Sequence, residues 1–397
     1  MTSSAKVDSS KAVHDLPHQA RLLREALQSE KRRVGFFLGA GCPLGIYDSN
    51  DEKSLKHIPD VAGLTAAVAA GLSDARQKEC WQKLLESCKS TSTPQPNVEH
   101  VLTQLRTICA LKGGGKIDGM SIDELLTLDL KVCELIASTV GKHLPDHHCS
   151  YHRFAAWLRH IERTEPIEIY TPNYDLLLEQ ALENYQIPYF DGFVGSREPF
   201  FDLLSLEVDA IPKRWARLWK LHGSINWVKR KDETVYRKYP PASGEKLLIY
   251  PSHLKYEQSR RMPYLAMLDR FKAFFRESHS ALVLCGYSFA DEHLNEVLLD
   301  GLRSNRSVHC YALMFGKLAD CRTAANHAMR NPNLTVLCSD GGIVGTKAGA
   351  YRPVDPVLIA EGCGYTQLAG SAPESQLGDF HYFCRFLETQ FGVERHE

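Results

Sequence analysis

The chain contains twelve cysteines, yet no two of them form a C-x-x-C pair. That absence removes the commonest ligand spacing for zinc and for a dithiol redox centre. The thiols read as small buried hydrophobes, and no metal is expected. No run approaches about 18 uninterrupted apolar residues, which excludes a membrane-spanning helix. The start of the chain, MTSSAKVDSSKAVHDLPHQ, lacks the apolar stretch of a secretory signal, so the expected location is the cytoplasm. Neither charge is in excess: 47 Lys+Arg stand against 48 Asp+Glu, a formal net charge of -1. No overall field therefore draws the protein to nucleic acid or to an anionic membrane. KRKDETVYRK at 229–238 is a local basic candidate and reads as a solvated hairpin of mixed charge.

What is present is an ordinary globular composition, 44% hydrophobic and 24% charged, over 397 residues. That length suffices for one large domain with insertions, or for two domains. Residues 1–17 are expected to be disordered. A helical pattern, QARLLREALQSEK, leads into RVGFFLGAGC, an apolar run ending in glycines, which is how a nucleotide-binding α/β unit begins. Residues 60–150 carry helical patterns without a strand signal, with Asn97 and Ser121 as N-caps, and read as an inserted helical domain. From 151 the pattern alternates, with strands at IEIYTPN, RLWKLHGS, EKLLIYPS, ALVLCGYS, VHCYALMF and LTVLCSD. The expected fold is α/β, a doubly wound (Rossmann-like) parallel sheet built from 18–59 and 151–340. Residues 341–397 read as a loop-rich segment with a closing helix.

Four polar clusters stand at the ends of apolar runs. GAGC at 39–42 lacks both the Lys-Ser/Thr of a P-loop and the third glycine of a dinucleotide fingerprint. It is either a structural glycine turn or a cradle of backbone N–H groups and a helix N-terminus for a pyrophosphate. TPNYD at 171–175 places Asn173 and Asp175 where open α/β sheets put their ligands, or else forms a turn and a cap. LHGS at 221–224 ends a core run with His222, a candidate general base. CGYSFADEHLN at 285–295 adds Gly286, Ser288 and Asp291, as a strand–helix turn with a cap or as nucleotide contacts.

In this order the four segments resemble the sirtuin family. They read Gly39-Ala40-Gly41, Thr171-Pro172-Asn173-Tyr174-Asp175, His222-Gly223 and Gly286-Tyr287-Ser288. TPNYDLLLE, LHGSINW, LIYPS and GYSFADEHLN look closer to the zinc-less bacterial sirtuin-like proteins of antiviral defence than to protein deacylases. The paired zinc cysteines of the deacylases have no counterpart, because no cysteine lies between Gly223 and Leu284. HIPD at 57–60 is a faint echo of the Ile-Pro-Asp-Phe-Arg segment that deacylases carry after the GAG loop.

The resemblance implies a site for NAD, taken as substrate and cleaved between nicotinamide and ribose. Asn173 would position a ribose hydroxyl or the attacking water, and His222 would be the base. Asp175 would orient Asn173 or cap its helix. Gly39, Ala40, Gly41, Cys42, Thr171, Gly286, Ser288 and Asp291 would hold the rest of the nucleotide. The implied activity is an NAD glycohydrolase giving nicotinamide and ADP-ribose, the effector of an antiphage system. A cyclase, a protein deacylase and an NAD- or ADP-ribose-binding regulatory module are the alternatives. The expected partners are further copies of the chain and a sensor such as a ring-forming ATPase, and the helical insertion is expected to mediate assembly or to cap the crevice.

Overall fold

The runs VGFFL, EIYT, ARLWK, ALVLC and LTVL are buried at every position, and HCYAL is buried at all but its first. Strands without a solvent face belong in the middle of a sheet covered on both sides. The computed structural model of the protein places them there. It describes residues 12–48, 54–90, 94–110, 118–208, 211–230, 232–241, 245–249, 262–354, 362–367 and 371–390. Seven strands run parallel in the order Leu334–Leu337, His309–Leu313, Ala281–Cys285, Val34–Leu38, Glu168–Thr171, Ala216–Lys220, Tyr189–Phe190.

Two neighbouring phenylalanines show how both faces are filled. Phe36 meets Phe154 and Trp157 of the helix Ser150–His160 edge-on, with centroids at 5.1 and 5.4 Å. Phe37 points the other way, to Phe271 of the helix Tyr264–Phe274 at 5.5 Å and to Tyr287 at 4.6 Å. Each such fully buried ring contributes on the order of 2–3 kcal/mol by area removed from water. The fold is α/β and doubly wound. Val34–Leu38 pairs with Glu168–Thr171 on one side and Ala281–Cys285 on the other, so the strand order reverses beside it. Ligands of open α/β sheets enter outside the carboxyl ends of strands at such a reversal.

Several expectations are corrected. Residues 12–17 are ordered: Ala12–His14 forms the edge strand, parallel to Lys347–Tyr351, and the helix Leu16–Gln28 follows under an Asp15 cap. Residues 1–11 lie outside the described residues. The glycine-rich start of the C-terminal segment is not loop. Gly341–Val344 and Lys347–Tyr351 form a hairpin that extends the sheet antiparallel, with Gly341 and Gly349 allowing close strand approach: a Cβ on Gly341 would stand 2.5 Å from Gly349 O. EKLLIYPS does not enter the parallel sheet. Lys246–Ile249 pairs antiparallel with Gly223–Lys229 in a second, five-stranded sheet that also holds Val235–Arg237, Phe200–Phe201 and Phe193–Val194.

The helices of the insertion are Val61–Gly71, Ala75–Ser87, Val98–Ala110 and Ile122–Val140. Ser121 caps the last in a capping box with Glu124, and Asn97 Oδ1 accepts from Glu99 and His100 N–H at 3.0 and 3.1 Å. Their apolar faces meet around Trp81, Leu105, Leu128 and Val132, all buried. Arg106 ties two of the helices together through Asp129 at 2.7 Å.

Candidate functional site

At the sheet's reversal point the loops after Val34–Leu38 and Ala281–Cys285 lie against each other. Gly39 N–H donates to Cys285 O and Gly41 N–H to Gly286 O, both at 2.9 Å. Side chains would not fit there. A Cβ on Gly39 would stand 2.3 Å from Gly286 O, and one on Gly286 would stand 2.5 Å from Cys42 N. Gly286 also has φ +66, the left-handed region that favours glycine. Behind the loop a single 3₁₀ turn, Cys42–Gly45, replaces the α-helix expected to present its N-terminus to a phosphate. Pro43 lies in its first turn, where a missing N–H costs nothing, and Ile46 N–H closes the turn on Pro43 O at 3.3 Å. The Cys42 thiol is buried and donates to Cys285 O at 3.3 Å, and burial pushes its pKa up, so it is an inert packing group.

The TPNYD turn is locked from both ends. Thr171 Oγ1 donates to Leu38 O at 2.7 Å and accepts from Asn173 N–H at 3.1 Å. Asn173 Nδ2 donates to Gly39 O at 3.1 Å, which fixes its amide against the glycine loop and leaves it half-buried at the crevice. Asp175 Oδ1 accepts from Leu177 N–H at 3.0 Å and so holds the turn against the start of the helix Leu177–Asn184, whose N-cap position is Leu176. Burial raises the Asp175 pKa, against the pull of Lys220. Lys220 is itself buried, donating to Asp175 O and to Glu179 Oε1, the latter at 2.9 Å. This buried charge cluster underpins the turn.

LHGS is a corner rather than a strand end. Ala216–Lys220 stops, Leu221 and His222 turn, and Gly223 at φ +89 sends the chain into Gly223–Lys229 of the second sheet. His222 is thereby fixed between two sheets and is 3% exposed. Its Nε2 lies 2.9 Å from Asp291 Oδ2, off the line of an ideal N–H···O bond but at ion-pair distance. Burial alone would lower the His222 pKa, but the carboxylates of Asp291 and, behind it, Glu99 overcome this and raise it. Burial likewise opposes the Asp291 carboxylate, yet His222 and the N–H of Leu294 keep its pKa below the usual value. The other Asp291 oxygen caps the helix Glu292–Ser304, accepting from His293 and Leu294 N–H at 3.0 and 3.1 Å.

These groups open on one cavity of about 270 Å³. Of the residues expected from sequence, Ala40, Asn173, Asp175, His222, Gly286, Ser288 and Asp291 line it. Gly39, Gly41, Cys42 and Thr171 do not; they shape the loops from behind. The far wall belongs to the helical insertion and its approach: Ile58, Pro59, Leu64, Asn97, Glu99 and Val140. Sequence reasoning missed Glu99. NVEH was legible as a helix start, but nothing in its spacing says which way that first turn faces. The described lining carries Glu99, Asp175 and Asp291 without a Lys or Arg, a negative surface suited to positive charge.

Residues 167–335 match the family model of the SIR2-like domain. Among solved structures, a Sir2 homologue in complex with NAD is 14% identical with a TM-score of 0.36, covering 78% of this chain and 89% of that one. A structure from work on the mechanism and regulation of Sir2 enzymes is 12% identical with a TM-score of 0.34, covering 77% and 88%. No curated protein sequence matches the chain.

Proposed function

We propose that the crevice takes NAD as substrate and hydrolyses its nicotinamide–ribose bond, releasing nicotinamide and ADP-ribose. The observation that carries this reading is the convergence of Asn173, His222 and Asp291 on one cavity at the sheet's reversal point, within a segment matching the SIR2-like domain. The cavity fits such a ligand in kind. Gly286 and Ala40 line it with backbone and a single methyl, leaving room for a ligand to approach the main chain. Its carboxylates suit a substrate whose ring nitrogen is cationic.

Breaking that bond needs no strong acid, since the departing ring already carries the charge; the protein's task is to position, to exclude water and to move one proton. Asn173, with its amide nitrogen held by Gly39 O, keeps its oxygen to accept from a hydroxyl or water. Neutral His222 accepts the proton, and Asp291 then holds the imidazolium. Asp175 acts by holding the turn through Leu177 N–H.

Asn173→Ala tests the assignment. Nicotinamide release should fall by roughly a hundredfold or more, while the loss of one bond to Gly39 O costs about 1 kcal/mol of stability. Chromatography of NAD incubations, with unfolding measured in parallel, reads both, and parent-like turnover rejects the role. Deacylation is disfavoured because the chain lacks paired zinc cysteines. A module that binds NAD or ADP-ribose without turnover is what remains if the parent chain releases no nicotinamide.

Unchecked NAD hydrolysis would drain a cell. We place the activity in a cytoplasmic homo-oligomer that acts as the effector of bacterial antiphage defence, silent until a partner such as a ring-forming ATPase signals. The chain's own sequence has no P-loop and no excess of positive charge with which to sense nucleotide or nucleic acid itself.

A further inference from the structure

Glu99 belongs to the insertion, yet its carboxylate reaches into the turn that carries Asn173. Glu99 Oε1 accepts from Tyr174 OH at 3.0 Å, and Tyr174 follows Asn173 directly in the chain. Tyr174 is 7% exposed, and its backbone carbonyl accepts from Ile225 N–H at 3.1 Å and Ser224 Oγ at 3.4 Å. One residue thus joins three elements: the first turn of Val98–Ala110, the TPNYD turn, and the strand leaving the His222 corner. Glu99 lines the same cavity as Asn173 and His222, and its charge is one of those holding the His222 imidazolium.

We propose that Glu99 is a positioning residue: through Tyr174 it fixes the Asn173 turn against the His222 corner, so that the site is complete only with the helical insertion seated on the sheet. The consequence for catalysis rests on the reading of the crevice as an NAD-cleaving site; the brace itself does not. A phenol donating to a carboxylate across two units is a charge-assisted bond, stronger than a neutral one. A half-ångström shift of an amide is enough to slow a reaction that depends on placement. The insertion would then act as part of the site rather than as a passive wall.

Three full-length variants test it: Glu99→Ala, which removes the acceptor, Tyr174→Phe, which removes the donor, and the double variant, with Glu86→Ala on an exposed surface of the same insertion as control. Hydrogen exchange without any ligand reads the brace. The amides of 171 and 173–176 should exchange about tenfold faster in each of the three than in the control. Steady-state kinetics read the consequence: kcat should fall about tenfold or more with KM changed less than about threefold, a split that a general loss of fold does not give. In exchange at this turn the double variant should match the singles, since either change alone breaks the Glu99–Tyr174 bond. Unchanged exchange at these amides, or additive effects on exchange in the double variant, overturns the inference. A parent without turnover rejects the NAD-cleaving reading, while the exchange result still decides the brace.

Discussion

Asp291 serves two partners with two oxygens, one closing a helix and one facing His222. The pH consequence follows from the direction of the shift. The His222 pKa is raised, so the pair's contribution to stability is full below the ordinary histidine pKa and is lost as pH rises through the raised value. Turnover runs the other way, since it needs neutral imidazole and climbs through the same titration. Asp291→Asn keeps an oxygen for the cap and removes the charge. The acid limb of its kcat/KM profile should therefore move to lower pH, and a limb that stays in place refutes His222 as the titrating base. At this scale the sequence was half legible. Asp291 could be read as a cap from its place before EHLN, and His222 as a polar residue closing a core run beside the crevice. Their pairing joins residues far apart in the chain and depends on the corner at Gly223, which no local pattern encodes.

Among the elements, the long apolar runs were legible because strands buried on both faces carry a nearly continuous hydrophobic signal. The helices of the insertion were legible from their caps and spacing. Weak periodicity hid the Gly341–Val344 and Lys347–Tyr351 hairpin: its glycines and alanines pack by close backbone approach, not by apolar bulk. The contact of the GAG loop with Gly286 belongs to this scale too. Gly286→Ala would place a Cβ 2.5 Å from Cys42 N at a left-handed φ of +66. Denaturant unfolding should show a loss of about 2–4 kcal/mol, from the strained backbone and the forced parting of the two loops. A variant as stable as the parent would mean that the loops are not tightly apposed.

For the whole molecule, the proposal of a silent oligomeric effector makes a plain demand on rate. Turnover per chain should rise with protein concentration as copies assemble, measured by nicotinamide release alongside light scattering. A monomer with full, constant activity rejects that control. A different consequence comes from the strand Ala12–His14, which lies along Lys347–Tyr351 at the rim of the large sheet. Stripping away these first residues would leave a row of bare N–H and C=O groups on Lys347–Tyr351, ready to zip onto any other extended chain. The N-terminal strand therefore acts as a selvedge, the finished border that keeps a woven cloth from joining its neighbour, and proteolysis there would turn the sheet into a seed for aggregation.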